Sequence, residues 1–216
     1  TLVPLALMEE VWLTGKKILM LEPRRLAAKT IANRMADLLG EKVGESVGYR
    51  IRFESKVSKQ TKIEVLTEGI LTRMIHDDNG LEEIGLVIFH EFHERSIHAD
   101  VAMALCRECQ EVLRPDLRIL VMSATLDMPE LSKMLKSPIV ESLGRQHPVD
   151  VNYAGDSDIK MLPELASRVI KSAMDKHAGD VLVFLPGQGE IKKCEEILKH
   201  SLSGIMIHPL YGQLPY

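Results

Sequence analysis

Four short runs restrict what this chain can fold into. KILMLEP (Lys17 to Pro23), KIEVLT (Lys62 to Thr67), GLVIF (Gly85 to Phe89) and LRILVMSAT (Leu117 to Thr125) are rich in apolar residues at neighbouring as well as alternating positions. A strand apolar on one face can border water, whereas a strand apolar on both must be covered on both. Helical patterns stand between these runs: Leu2 to Leu13, Arg25 to Leu39 with Gly40 as its stop, a helix following Thr67 to about His76, and Ser96 as N-cap of a helix to about Leu113. A short helix follows near Pro129 to Leu135, and PIVESL (Pro138 to Leu143) closes the set. Buried strands alternating with helices predict an α/β fold, a parallel sheet with helices on both faces.

After Gly144 the pattern restarts. Val149 to Tyr153, DVLVFLPG (Asp180 to Gly187) and GIMIHPLY (Gly204 to Tyr211) read as strands, separated by helices from Ile159 to about Lys176 and from Glu190 to His200. This predicts the opening of a second α/β domain, with the division near residues 145 and 146. The 216 residues end at Tyr216, before an ordinary five- or six-stranded second sheet would be complete.

Composition limits the function classes. The net charge is −4, so any nucleic-acid binding needs a local basic patch rather than a global basic field. The three cysteines, Cys106, Cys109 and Cys194, are an odd number, which argues against a secreted disulfide framework. No signal peptide and no apolar run of the ~20 residues that would span a bilayer is present. A reducing, cytoplasmic setting without a membrane is the expectation.

In parallel sheets ligands gather at the carboxyl ends of the strands, and the polar residues here stand at those ends. Pro23-Arg24-Arg25 follows one strand, Thr67-Glu68-Gly69 a second and His90-Glu91-Phe92-His93 a third, while Ser123-Ala124-Thr125 ends a fourth. The histidine–glutamate cluster is one residue shorter than the zinc-hydrolase pattern H-E-x-x-H and follows a strand rather than lying on a helix, which argues against catalytic zinc. A carboxylate at a buried strand's end is also where a nucleotide hydrolase holds Mg²⁺ or polarises the attacking water. A solvated turn is the plainer reading.

The other features have plain readings too. Arg24 and Arg25 could be a surface pair. Two cations at a helix N-terminus oppose its dipole, and a bound phosphate would relieve that. Thr67-Glu68-Gly69 could be only a cap and turn, and Ser123-Ala124-Thr125 only small residues allowing close packing. The C-x-x-C pair falls within the Ser96–Leu113 helix, lacks a second pair for zinc and reads as structural. His76, His98, His177 and His200 read as solvated or capping residues, and Met20, Met103 and Met122 as core filler.

Taken in order, these pieces resemble the DEAH-box/RHA helicases of superfamily 2. LEPRRLAAKTIANRMA resembles motif Ia, VGYRIRFES the stretch after it, LTEGILTRMI motif Ib, HEFHERS motif II and VMSATLD motif III. GRQHPVDVNY resembles the entry to the second RecA-like domain, VLVFLPGQGEI motif IV and HPLYGQLP the segment after it. EFHERS with LEPRRLAA is most similar to the bacterial HrpB-type subgroup.

The resemblance implies two RecA-like domains, the first over 1–145 and part of the second over 146–216. It implies an ATP- and Mg²⁺-dependent motor moving 3′ to 5′ along single-stranded RNA or DNA. Glu91 would polarise the attacking water, and His93 would couple the nucleotide site to the partner domain. Ser123 and Thr125 would link hydrolysis to strand movement. Arg24, Arg25, Thr67, Glu68 and Gly69 would meet the nucleic-acid backbone, and Arg34 would stack on the nucleotide base. Glu91 and position 90 would face the metal.

Three departures qualify this. No G-x-x-x-x-G-K-[ST] phosphate loop occurs in these residues, motifs V and VI are absent, and His90 stands where the family has aspartate. The 216 residues as they stand are therefore expected to hydrolyse no measurable ATP. His90, a nitrogen donor facing a hard oxygen-seeking cation, is expected to weaken Mg²⁺ binding. A catalytically dead RNA- or protein-binding module is the rival reading, and a metal hydrolase using His90 and His93 is a third.

Overall fold

The computed structural model describes residues 2–124, 128–142, 144, 147–155 and 158–211. Two compact units divide the chain, Thr1–Glu141 and Ser142–Tyr216.

The first unit is built on six strands: β1 (Lys17–Glu22), β2 (Val47–Ile51), β3 (Glu54–Lys56), β4 (Ile63–Thr67), β5 (Ile84–Phe89) and β6 (Arg118–Val121). Their spatial order is β3-β2-β4-β1-β5-β6. Every pairing is parallel except the β2–β3 hairpin, so the sheet is mixed, with an antiparallel edge. The helices are α1 (Leu2–Leu7), α2 (Arg25–Leu39), α3 (Glu68–Asp77), α4 (Ile97–Val112) and α5 (Met128–Leu135).

Alternation along each strand sends side chains to opposite faces, and both faces are filled. Ile18 and Met20 of β1, with Leu86 and Ile88 of β5, join a core that includes Ala28, Ala32 and Met35 of α2. Leu19, Leu21, Val87 and Phe89 join a second core with Leu71 and Ile75 of α3 and Ala102, Met103 and Cys106 of α4. Small residues on α2 let its backbone approach the sheet. α2 ends at Gly40, whose φ of 72° closes the helix in a conformation costly for other residues.

The β2–β3 hairpin, which periodicity alone does not predict, depends on Gly48. A Cβ there would lie 2.3 Å from the Lys56 carbonyl oxygen and 2.8 Å from a Val57 methyl carbon. The expected helix from Leu2 to Leu13 is interrupted: α1 stops at Leu7 and a separate 3-10 turn covers Val11–Leu13. No strand forms at PIVESL in its described residues, 138–142.

Among its described residues the second unit carries α6 (Leu162–Lys176), preceded by a 3-10 turn over Ile159–Met161, and α7 (Gln188–Ser201). Ile170, Cys194 and Leu198 form a small core between them, and Lys193 pairs with Glu164 at 2.6 Å. The strands expected at 149–153, 180–187 and 204–211 do not form: their backbones carry no ladder among the described residues. A strand exists only through a hydrogen-bonded neighbour. Here Val149, Leu182, Phe184 and Met206 keep their apolar side chains largely exposed.

Candidate functional site

The chemistry gathers at the carboxyl ends of three adjacent strands, β1, β5 and β6. Leu21 pairs with Phe89 in the parallel register, so Glu22 and His90 are the next residues on neighbouring strands. The ladder continues through the His90 N–H, which donates to the Leu21 carbonyl at 3.2 Å. Glu22 is almost wholly buried, and its Oε2 lies 2.7 Å from His90 Nδ1. An ionised carboxylate only accepts hydrogen bonds, so toward Glu22 the Nδ1 atom acts as the donor. The other ring nitrogen, Nε2, is 3.9 Å from Glu91 Oε1.

Glu91 occupies the left-handed region, at φ 53° and ψ 37°. A non-glycine residue there costs about 1 kcal/mol or more and persists only where its surroundings impose it. Two contacts impose it. Glu94 N–H donates to the Glu91 carbonyl at 2.9 Å in a 3-10 turn, and Phe92 N–H donates to the Met122 carbonyl at 3.3 Å. The second contact ties this turn to the end of β6. It brings Ser123 Oγ to 3.3 Å from His93 Nδ1, while the same nitrogen lies 3.4 Å from Glu91 Oε2. Phe92 anchors the turn by burying its ring edge-on against Phe89.

Around this centre lie the other expected residues. Arg24 and Arg25 are exposed at the start of α2, and Arg24 Nη2 pairs with Glu94 Oε1 at 3.1 Å. Thr67 caps α3 with its backbone only. Glu68, the first residue of α3, accepts a hydrogen bond from Ser96 Oγ, and Ser96 in turn caps α4 by accepting from the Ala99 N–H at 3.0 Å. Gly69 is exposed, with nothing within 4 Å of where a Cβ would stand. Arg34 lies on the exposed side of α2, and its side chain makes no hydrogen bond or ion pair among the described residues. Thr125 lies outside the described residues.

Sequence reasoning did not single out Glu22, Glu94 or the Ser96–Glu68 bond. The signal for Glu22 is a carboxylate ending an otherwise apolar strand, but its partner depends on β1 and β5 being neighbours. Among the described residues, no three His, Cys, Asp or Glu side chains converge to hold a metal by themselves. The C-x-x-C pair is buried in α4 with both thiols free, and burial pushes Cys106 up to about 12. That thiol packs rather than reacts. No helix among the described residues is long and apolar enough to cross a membrane.

The family model for the DEAD/DEAH box helicase matches residues 1–134. The chain is 45% identical to the ATP-dependent RNA helicase HrpB of Escherichia coli (strain K12), over 99% of this chain and 27% of that protein. It is 38% identical to the pre-mRNA-splicing factor ATP-dependent RNA helicase prp22 of Schizosaccharomyces pombe, over 90% of this chain and 17% of that one. The crystal structure of Escherichia coli DEAH/RHA helicase HrpB superposes with a TM-score of 0.86 at 44% identity, over 99% of this chain and 28% of that one. The chain thus spans about a quarter of the HrpB length.

Proposed function

From the premise that this chain belongs to the DEAD/DEAH box helicase family, with the RecA-like sheet of that family, we propose that it is part of an ATP-dependent RNA helicase. In this reading ATP hydrolysis drives 3′-to-5′ movement along single-stranded RNA. Residues 1–145 belong to the first RecA-like domain and 146–216 to the second, in a protein of the cytoplasm.

One observation carries the reading. The carboxyl ends of β1, β4, β5 and β6 present two chemistries side by side: Glu91, His93 and Ser123 on one stretch, Arg24, Arg25 and Thr67 on the other. Acid–base groups beside phosphate-binding groups are what a nucleic-acid-driven hydrolase needs.

Glu91 orients and polarises the water that attacks the terminal phosphate. His93 Nδ1 stands between an obligate acceptor, Glu91, and a hydroxyl, Ser123, at nearly equal distances. When protonated it donates to Glu91, and when bare it accepts from Ser123. The state of the acid–base centre is thereby transmitted to Ser123 at the end of β6, and Ser123 and Thr125 link hydrolysis to strand movement. Arg24, Arg25, Thr67, Glu68 and Gly69 line the sugar–phosphate track. Arg34 stacks on the nucleotide base. Contacts to phosphate rather than base edges suit a motor indifferent to sequence.

The Mg²⁺ that accompanies ATP in this family would meet Glu91, but His90 does not fit it, because Mg²⁺ prefers oxygen donors. That misfit favours a second reading, a binding module that grips RNA without turnover.

The test is ATP hydrolysis by the full-length protein with and without single-stranded RNA, against Glu91→Gln. RNA-stimulated turnover that falls by about 10²-fold or more in Glu91→Gln, with RNA binding retained, supports the motor. RNA binding without turnover supports the module, and stimulation by DNA alone would reassign the track.

A further inference from the structure

Arg24 and Glu94 are 70 positions apart and serve different parts of the site. The arginine belongs to the proposed phosphate track, and the glutamate closes the turn that carries His93 and follows Glu91. We propose that their ion pair is the latch through which RNA reaches the catalytic turn. RNA phosphate takes Arg24 from Glu94, and the release frees the turn to bring Glu91 into its working position. Glu94 is thus a positioning residue that makes turnover respond to RNA. This rests on the motor reading above and deepens it.

The turn is held rather than relaxed. Its 3-10 segment, Phe92–Glu94, stands between two non-glycine residues of positive φ, Glu91 at 53° and Arg95 at 44°. Such conformations persist only where the surroundings impose them. Backbone bonds close the turn, from the Glu94 N–H to the Glu91 carbonyl at 2.9 Å and from the Arg95 N–H to the Phe92 carbonyl at 3.3 Å. Two ion pairs tie it from outside. Arg95 meets Asp100 of α4 at 3.0 Å, and Glu94 meets Arg24 at 3.1 Å. The first leads back to the next helix; the second leads to the track. Glu94 therefore enters the turn twice, its N–H fixing the Glu91 carbonyl and its carboxylate answering Arg24.

A ligand shifts a conformational equilibrium only through contacts that differ between the two states. Here the difference is explicit, because Arg24 faces a carboxylate in the resting state and a phosphate in the RNA-bound one. Among the described residues Glu94 is the one side-chain partner of Arg24, whose guanidinium is otherwise largely exposed. A phosphate at Arg24 also sets its negative charge against Glu94, which drives the carboxylate away even though the guanidinium has donors to spare. An exposed pair of this kind is worth a factor of about 5 at most, so the latch tunes the response to RNA and does not create all of it.

The experiment follows ATP hydrolysis by the full-length protein as unstructured single-stranded RNA is titrated, in the native protein, Glu94→Gln and Asp100→Asn. Glu94→Gln is expected to raise the RNA-free rate about 2- to 5-fold, to lower the half-saturating RNA concentration by a similar factor, and to leave the rate at saturating RNA unchanged. Both differences should close as salt is raised, because an exposed pair is screened. Asp100→Asn loosens the same turn but leaves Arg24 paired, so its half-saturating RNA concentration is expected to stay at the native value.

An unchanged RNA-free rate in Glu94→Gln, or a half-saturation shifted as far by Asp100→Asn, would overturn the latch while leaving the motor intact. A native protein that hydrolyses no ATP at any RNA concentration would instead remove the motor reading, and this inference with it.

Discussion

The bond from Ser96 to Glu68 links the start of α3, where the proposed nucleic-acid track lies, to the end of the loop that carries Glu91 and His93. Its strength can be estimated from its two parts. Ser96 accepts from the Ala99 N–H at 3.0 Å as the N-cap of α4, and replacing such a cap by alanine costs about 1 kcal/mol. Its hydroxyl also donates to the Glu68 carboxylate. A hydrogen bond to a charged group contributes about 1.5–3 kcal/mol, which partial exposure of both residues reduces to about 1. Ser96→Ala should then cost about 2 kcal/mol. Glu68→Ala should cost about 1.5, from the same bond plus the loss of an acidic group in the first turn of α3. Only the shared bond couples the two, so the double variant should cost about 2.5 kcal/mol rather than the sum of the singles. Urea unfolding followed by the fluorescence of Trp12 measures this, because the chain's single tryptophan lies in the first unit. A coupling energy below about 0.3 kcal/mol, within ordinary additivity, would refute the reasoning, because the two side chains would then act independently in solution.

Other consequences can be checked separately. Arg24→Ala should weaken RNA binding uniformly across sequences and lower the salt slope by about one unit; Glu94→Gln, which frees Arg24 from its 3.1 Å partner, should tighten RNA binding at low salt, and an unchanged affinity would mean the pair does not compete with phosphate. Phe53 sits at the hairpin turn with φ 68° and its ring exposed; Phe53→Asn should leave stability unchanged or raise it by up to about 1 kcal/mol, since asparagine tolerates that region better, and a clear loss would show that the ring has a packing role. The side-chain bond from Arg114 holds the Asp116 carboxyl at about 2, below its ordinary 3.8. A depressed folded value means that the stabilisation is present above the unfolded value and lost as pH falls through the folded one, so Asp116→Asn should flatten the stability profile between pH 3.8 and about 2.

Where a local pattern determines an element, the sequence was enough. α2 runs from Arg25 to Leu39 because its apolar positions recur at helical spacing and Gly40 takes a positive φ. α4 begins after Ser96 because that hydroxyl caps it. The β2–β3 hairpin was not legible as strands, because VGYRIRFESK mixes glycine, arginine and glutamate into its alternation. Its strand character comes from lying beside β4, a tertiary fact. The reverse error occurred in the second unit. DVLVFLPG is as apolar as β1, yet a propensity for strand becomes a strand only against a partner, and no neighbour pairs with it among the described residues.

The same distinction separates the parts of the site that could be read from those that could not. Glu91, His93 and Ser123 were visible as titratable or polar groups ending apolar runs, because the carboxyl end of a buried strand is where such groups can meet solvent and ligand. Which of them touch depended on sheet order and register. Residues 22 and 90 are 68 positions apart, and become partners only because β1 lies directly beside β5, with Leu21 opposite Phe89. From the sequence, His90 was a substitution for aspartate and a loss of oxygen ligation. In the fold it is half of a pair whose other half is buried and pointed at it. A buried carboxylate needs a hydrogen-bonded or charged partner, and aspartate at position 90 would set a second negative group against Glu22. Histidine meets that requirement with Nδ1 at 2.7 Å from Glu22, so the residue that departs from the family pattern is the one that suits the buried carboxylate beside it.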